Sequence, residues 1–500
     1  RTLCWALYPL GEKADYFTFI NQVRRDWRTN FTVQGPYSFF DVVQHHDMLH
    51  DPQRLKAYLL RKRLKVVALG PWLDYDNLNA RTGKLIDRET YRTMMREAAT
   101  TLRTADAEIK CIGCMEGNIV SLPPEAVKAL FELIPIDKRG QGDGIPFTDA
   151  QMAILKTLPL RWKDCLLTAP DGRSSYELYY RGALDPSGNL SAHDTRSVPM
   201  MAVLVYAAPA NDQVAYWLDQ ARFMIEEVGL DGIYIDQFNL AFNARQRYSY
   251  EQWDGVTVDM DPGTGLIARR YTDGALVGTG ARKELIEYVL GKGKVMVTNT
   301  CPAAKEVQAY PITRFMEAEF GAHVVEMREG EKPPLRYTPC EGHLASPVAL
   351  GSRPERHGEA GVRTYARSIM RTVIDYLRHG VLFHHYLTEI PEMGQGSGEY
   401  GPINHMFPFT PVELHEGWVL GKERIISCVS MDTFWENEHE PVVFLFDLDG
   451  RERIPRDHFQ FRKEGEQWHI TLKLEDWQEI AVVETARCPD QGGHPKEATP

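Results

Sequence analysis

The sequence predicts an α/β chain: a (β/α)8 TIM barrel followed by a small antiparallel β-sandwich. Three observations carry this. Short apolar runs alternate with segments of helical periodicity over most of the 500 residues, the pattern of a parallel sheet with crossover helices. From about residue 411 the helical segments stop, and β-type runs follow one another across turn residues. The length exceeds the ~250 residues of a bare barrel, which leaves room for insertions and a companion domain.

In chain order the strand candidates cover residues 3–8, 31–35, 65–69, 109–115, 201–207, 232–235, 294–298, 313–319 and 380–386. A barrel needs eight, so one of these is surplus or lies beside the barrel. The clearest helix runs over 211–228, where Val214, Trp217, Leu218, Ala221, Met224, Ile225 and Val228 recur at three- and four-residue steps. Asn211 suits its N-cap and Gly229 its stop. Further helices fit 17–27 and 365–377. The barrel is expected over 1–405, with long insertions near 122–197 and 237–283. The β-sandwich is expected over 406–488, on the runs 424–429, 441–446, 468–472 and 479–483, with a flexible tail at 489–500.

Composition excludes several functions. Lys and Arg total 57 against 69 Asp and Glu, a net charge of −12 without a basic run, which is unsuited to a nucleic-acid backbone. No stretch reaches the ~20 apolar residues of a membrane span. With 10 Trp, 22 Tyr and 20 Phe, aromatic rings are numerous enough to serve as stacking platforms as well as core. Cys111 and Cys114 form a lone Cys-x-x-Cys without the second pair a zinc site requires, so they read as buried thiols. The chain opens on Arg1, so a trimmed or processed product is expected.

Candidate chemistry sits where apolar runs end in charge. In Gly229–Asn239, "GLDGIYIDQFN", alternation sends Ile233 and Ile235 toward the helices and Tyr234 with Asp236 into the lumen. A carboxylate at the C-terminal end of a barrel strand lies where such barrels keep their active sites. In "KCIGCMEGN", Ile112, Cys114 and Glu116 share a face. In "TRFMEAEFG", Phe315, Glu317 and Glu319 share one, and two carboxylates so placed repel unless a cation or proton intervenes. Counted in order, Glu116 closes the fourth candidate strand and Asp236 the sixth. Trp72, Asp74 and Asp76 in "PWLDYDN", together with Tyr234, Gln237, Asn239, Trp253, Asn299 and His384, are candidates for stacking on or hydrogen-bonding a sugar. Each also has a structural reading: a salt bridge, a loop acid, a core ring. The sequence lacks G-x-S-x-G, a Walker loop, a strand-linked G-x-G-x-x-G and H-E-x-x-H. No metal or cofactor is implied.

With Asp236 in place, "GLDGIYIDQF" resembles the D-G-[IVF]-Y-[IVL]-D strand of (β/α)8 glycoside hydrolases, the bacterial polysaccharide-degrading type with a C-terminal β-sandwich. "NHMFPFTPVELHEGWVLGKERI" looks like the crossing from barrel to sandwich. The resemblance spans roughly residues 1–485 as architecture and assigns a superfamily, not a family. It implies cleavage of a glycosidic bond by two carboxyl groups, Asp236 with Glu116, and Glu317 or Glu319 in reserve. It implies an oligo- or polysaccharide substrate, with a homo-oligomer as one arrangement; the location stays open, periplasmic or secreted being favoured over cytoplasmic. The alternatives are a non-hydrolytic lyase or isomerase with His384 or a Tyr as base, and a carbohydrate-binding barrel without catalysis.

Overall fold

The computed structural model describes residues 5–75, 86–135, 138–139, 142–158, 163–179, 200–209, 211–239, 247–300, 304–317, 331–335, 338–351, 362–385, 401–455 and 459–485. Two compact units emerge. One comprises residues 37–60 and 64–317, the other 1–36, 61–63 and 318–500.

The first unit is built on six parallel strands: β1 (Tyr37–Asp41), β2 (Val66–Gly70), β3 (Lys110–Glu116), β8 (Gly232–Asp236), β9 (Val295–Asn299) and β10 (Thr313–Glu317). They pair in the order β1-β2-β3-β8-β9-β10. The second unit carries a parallel pair, β11 (Val348–Gly351) and β12 (Leu382–His385). Six and two make the eight parallel strands of the (β/α)8 class. Between β3 and β8 the first unit inserts an antiparallel sheet of β4 (Ile119–Ser121), β5 (Gly142–Pro146), β6 (Ser175–Tyr179) and β7 (Met200–Leu204), in the order β4-β7-β6-β5.

Three strand expectations need correction. Of 3–8, the described part (5–8) forms no strand, and within 31–35 only Val33 makes an isolated bridge, to Phe409. The run 201–207 is a strand, but it belongs to the inserted sheet. The parallel set is completed by "YSFFD" at Tyr37–Asp41 and by Val348–Gly351. Asp236 therefore closes the fourth parallel strand, not the sixth, and Glu116 the third. The two sit on neighbouring strands, not two positions apart.

The helix Asp212–Arg222 continues as a wider π turn over Phe223–Val228. Asn211 caps it through Val214 N–H, and left-handed Gly229 (φ 84°) ends it. Its inner face joins the helix-side core with Phe40, Leu69, Met115, Ile233, Ile235 and Met296, so the expected alternation along β3 and β8 holds. Cys111 and Cys114 are buried thiols, and burial pushes Cys111 up to about 12.

In the second unit, Pro411–His415, Trp418–Gly421, Arg424–Ser427, Ile480–Thr485, Pro441–Phe446 and Glu452–Arg453 form one antiparallel sheet, and Met431–Glu436, Gln467–Leu472 and Phe459–Glu464 another. Leu420, Ile425, Leu445 and Val483 from the first meet Trp435, Ile470 and Leu472 from the second in one core, which makes a β-sandwich. No helix among the described residues is long and apolar enough to cross a membrane.

Candidate active site

Five of the six parallel strands of the first unit end in an acid or an amide: Asp41, Glu116, Asp236, Asn299 and Glu317, with Gly70 the exception. Beneath this rim the lumen face is aromatic. Tyr234 stacks on Phe315 (5.9 Å, 21°), meets Phe39 edge-on at 4.8 Å, and lies 5.5 Å from Trp72. Tyr37 packs on Phe315 at 5.6 Å. These rings form an apolar layer next to the polar strand ends.

Three donors hold Asp236 in place. Its Oδ1 accepts from the Tyr234 hydroxyl (2.9 Å), the Gln237 N–H (3.0 Å) and Asn299 Nδ2 (2.7 Å). Donors converging on a carboxyl group favour its ionised form. Glu116 is the register partner of Asp236 on the adjoining strand, and it is 5% exposed. Their backbones are separated by one strand spacing, about 4.8 Å.

The residue after two of these ends, Asp236 and Asn299, is held in the left-handed region. Gln237 has φ 47° and Thr300 φ 68°. A non-glycine residue there costs about 1–3 kcal/mol and clusters at functional sites. Here the conformation turns each N–H back onto the preceding side chain, Gln237 N to Asp236 Oδ1 and Thr300 N to Asn299 Oδ1.

Deeper groups lock these turns. Asn118 donates to the Gln237 carbonyl. Gln213 Nε2 and Trp217 Nε1 both donate to the Gly117 carbonyl at 2.7 Å. Fully buried Arg282 donates to the carbonyls of Phe238 (2.9 Å), Ala275 (2.8 Å) and Asn239, and burial pulls its guanidinium down to about 10. Sequence reading missed Asp41, Asn118, Gln213 and Arg282. A polar strand end was the available signal for Asp41. The others lie in helices or turns without a local signature.

The remaining candidates fall as follows. Trp72 is half-buried beside Tyr234. Asp74 is bonded by Arg88, which also reaches Asp219 at 2.9 Å. Asn239 N donates to Thr300 Oγ1 at 2.8 Å, within the locked turn. Trp253 is 43% exposed in the long insertion after β8, with Arg270 stacked over its ring at 4.6 Å. Glu317 closes β10, its side chain outside the described set; Asp76 and Glu319 lie outside the described residues altogether. His384 belongs to the second unit, where it is buried and stacked on Phe407 at 3.9 Å; burial holds it down at about 3. Among the described residues no group of His, Cys, Asp and Glu is arranged to hold a metal ion.

No family model matches the chain, and no curated protein matches its sequence. Solved structures align along much of the chain at low identity. An Anoxybacillus α-amylase is 13% identical, with 92% of this chain and 99% of that one covered and a TM-score of 0.36. For Eubacterium rectale Amy13B the values are 8%, 95%, 100% and 0.40. A Paenibacillus cycloisomaltooligosaccharide glucanotransferase is 11% identical at a TM-score of 0.30; 90% of this chain aligns, spanning 55% of that longer one.

Proposed function

We propose that this chain is a glycoside hydrolase in which Asp236 and Glu116 flank the scissile bond. The observation that carries the reading is the Asp236 carboxylate itself: three donors meet on one of its oxygens, and its strand partner is a second, buried carboxyl residue. Glycosidic cleavage passes through an oxocarbenium-like state and requires one ionised and one protonated carboxyl group. Asp236 takes the ionised role, since its Oδ1 already accepts three hydrogen bonds. Glu116 takes the proton-donor role toward the leaving oxygen, with Glu317 and Glu319 as reserve partners.

One strand spacing between the two backbones favours the short carboxyl gap, about 5–5.5 Å, over the 6.5–9.5 Å that leaves room for a water. Asp236 then attacks the anomeric carbon as the bond to the leaving oxygen breaks and that oxygen takes the Glu116 proton. Water, deprotonated by Glu116, releases the sugar in the second half. The substrate is an oligo- or polysaccharide, with Trp72 as stacking surface and Asn299, Gln237 and Asn239 beside the bond. The test is turnover on a panel of chromogenic glycosides and glycans. Asp236→Asn is expected to abolish hydrolysis while the fold and glycan binding persist; near-normal kcat in that variant would make Asp236 structural.

A further inference from the structure

We propose that Arg282 is a positioning residue for Asp236, a clamp that sets the turn after β8 against the short helix Gly274–Val277. The inference rests on the hydrolase reading above and extends it to a residue that acts through the backbone. Arg282 is 1% exposed, and no carboxylate among the described residues bonds it. A guanidinium taken out of water without a bonded anion is costly, and what it meets there is three backbone carbonyls. Those of Phe238 (2.9 Å) and Asn239 lie two and three residues beyond Asp236. The third, Ala275 (2.8 Å), belongs to the helix Gly274–Val277.

That helix is itself anchored. Asp273 accepts from the Ala275 and Leu276 N–H groups, pairs with Arg247 through both carboxylate oxygens, and donates its own N–H to Asp254 Oδ2 at 3.0 Å. It also supports the Arg282 charge without bonding to it. Gly278 leaves room for the guanidinium: a Cβ there would stand 2.9 Å from Arg282 Nη1, 2.8 Å from the Gly274 carbonyl oxygen and 2.9 Å from that of Ala207. A guanidinium is a rigid planar fork, so three carbonyls bound to it keep a fixed spacing. The Gln237 N–H, one of the three donors to Asp236 Oδ1, precedes the two clamped carbonyls of the turn. Phe238 is at most about 7 Å of chain from Asp236, and a buried charge is weakly screened. The clamp therefore fixes the donor and favours the carboxylate as an anion.

The test is steady-state kinetics of the full chain on the glycoside that it turns over best, from pH 4 to pH 8, with rates taken per folded molecule. Arg282→Lys keeps the charge but replaces the fork with a point donor. It should lower kcat by about 10- to 100-fold, leave KM within about threefold, and move the acid limb of the profile up by about half to one pH unit. Gly278→Ala keeps Arg282 and crowds it, so it should give the same signature at about tenfold. Arg247→Gln loosens the same helix from its exposed side, should cost about threefold in kcat, and decides the matter where a core variant does not fold. Normal kcat with an unmoved acid limb in the folded variants, whatever their loss of thermal stability, would overturn the assignment. A wild-type chain that cleaves no glycoside would overturn the hydrolase reading alone. The carboxyl ¹³C titration of Asp236, identified by its loss in Asp236→Asn, then reads the clamp: it moves to higher pH in Gly278→Ala if the clamp holds and stays in place if it does not.

Discussion

Asn299 donates from Nδ2 to Asp236 Oδ1 at 2.7 Å while its own Oδ1 takes the Thr300 N–H at 2.8 Å. The backbone donor fixes which end of the amide faces Asp236, so an ambiguous side chain becomes an oriented one. Asn299→Ala should lower kcat/KM about tenfold with little change in the melting temperature. Asn299→Asp replaces a donor with a second carboxyl group at hydrogen-bond distance, and like charges there cannot both ionise. A loss of about a hundredfold or more, with an altered pH–rate profile, is expected from steady-state kinetics. Wild-type rates in Asn299→Asp would mean that Asp236 does not work as an anion.

The acid can be identified by its dependence on the leaving group. A leaving group that departs unaided needs no proton, so loss of the general acid matters less with an activated aryl glycoside than with a natural linkage. Glu116→Gln should lose at least about a hundredfold on an oligosaccharide and far less on the 2,4-dinitrophenyl glycoside of the same sugar. Glu317→Gln is the comparison. If it shows the leaving-group pattern and Glu116→Gln does not, the proton donor is on β10.

Adjacency of Glu116 and Asp236 also makes a stereochemical prediction. With the two residues in register on neighbouring strands, the first-formed anomer should retain the substrate's configuration, followed by ¹H NMR before mutarotation. Inversion would require a wider carboxyl gap and a different partner for Asp236.

Much of this site is readable from alternation alone. Ile233 and Ile235 against Tyr234 and Asp236, and Cys111 and Met115 against Cys114 and Glu116, are period-2 patterns ending in a charge, and the structure distributes them to two faces as the pattern requires. Strand counting was less legible. Met200–Leu204 is as apolar as any barrel strand, since two apolar clusters cover its two faces, and hydropathy does not distinguish antiparallel from parallel pairing. "YSFFD" escaped because its lumen-facing residues, Tyr37 and Phe39, are as aromatic as its helix-facing Phe40, which blurs the period. Arg282 and Gln213 were invisible for a further reason. They act on backbone carbonyls, and a carbonyl leaves no trace in a sequence.

Gly117 links the two carboxylate strands through the backbone. Its N–H donates to the Asp236 carbonyl at 2.9 Å. A Cβ at this position would stand 2.6 Å from the Asp236 carbonyl oxygen and 2.9 Å from that of Gln237. Both obstacles are backbone, so Gly117→Ala must displace the turn that delivers the Gln237 N–H. A stability loss of about 1–3 kcal/mol is expected from urea unfolding, together with a fall in kcat larger than the rise in KM. Unimpaired kcat would show that the turn tolerates displacement and that its hydrogen bond to Asp236 is dispensable.

Two buried histidines of the second unit set an acid limit on stability. His343 donates from Nε2 to the His379 carbonyl at 2.6 Å and accepts at Nδ1 from the Tyr16 hydroxyl at 2.9 Å, the pattern of a neutral ring. Burial pulls it from 6.5 to about 3, and nearby Arg24 acts in the same direction. His384, stacked on Phe407, is brought to about 3 by burial alone. Both are therefore neutral in the folded state down to about pH 3, whereas in the unfolded chain they take up protons below about pH 6.5. Between those limits the unfolded state binds more protons, so stability rises with pH there and falls on acidification. Each ring contributes up to about 1.4 kcal/mol per pH unit over that window. Urea midpoints measured from pH 7.5 to pH 4 should be level above about 6.5 and decline below it. His384→Asn should reduce the slope by close to one proton's worth even where it lowers the midpoint overall. An unchanged slope in that variant would mean that His384 protonates in the folded protein as readily as in the unfolded chain.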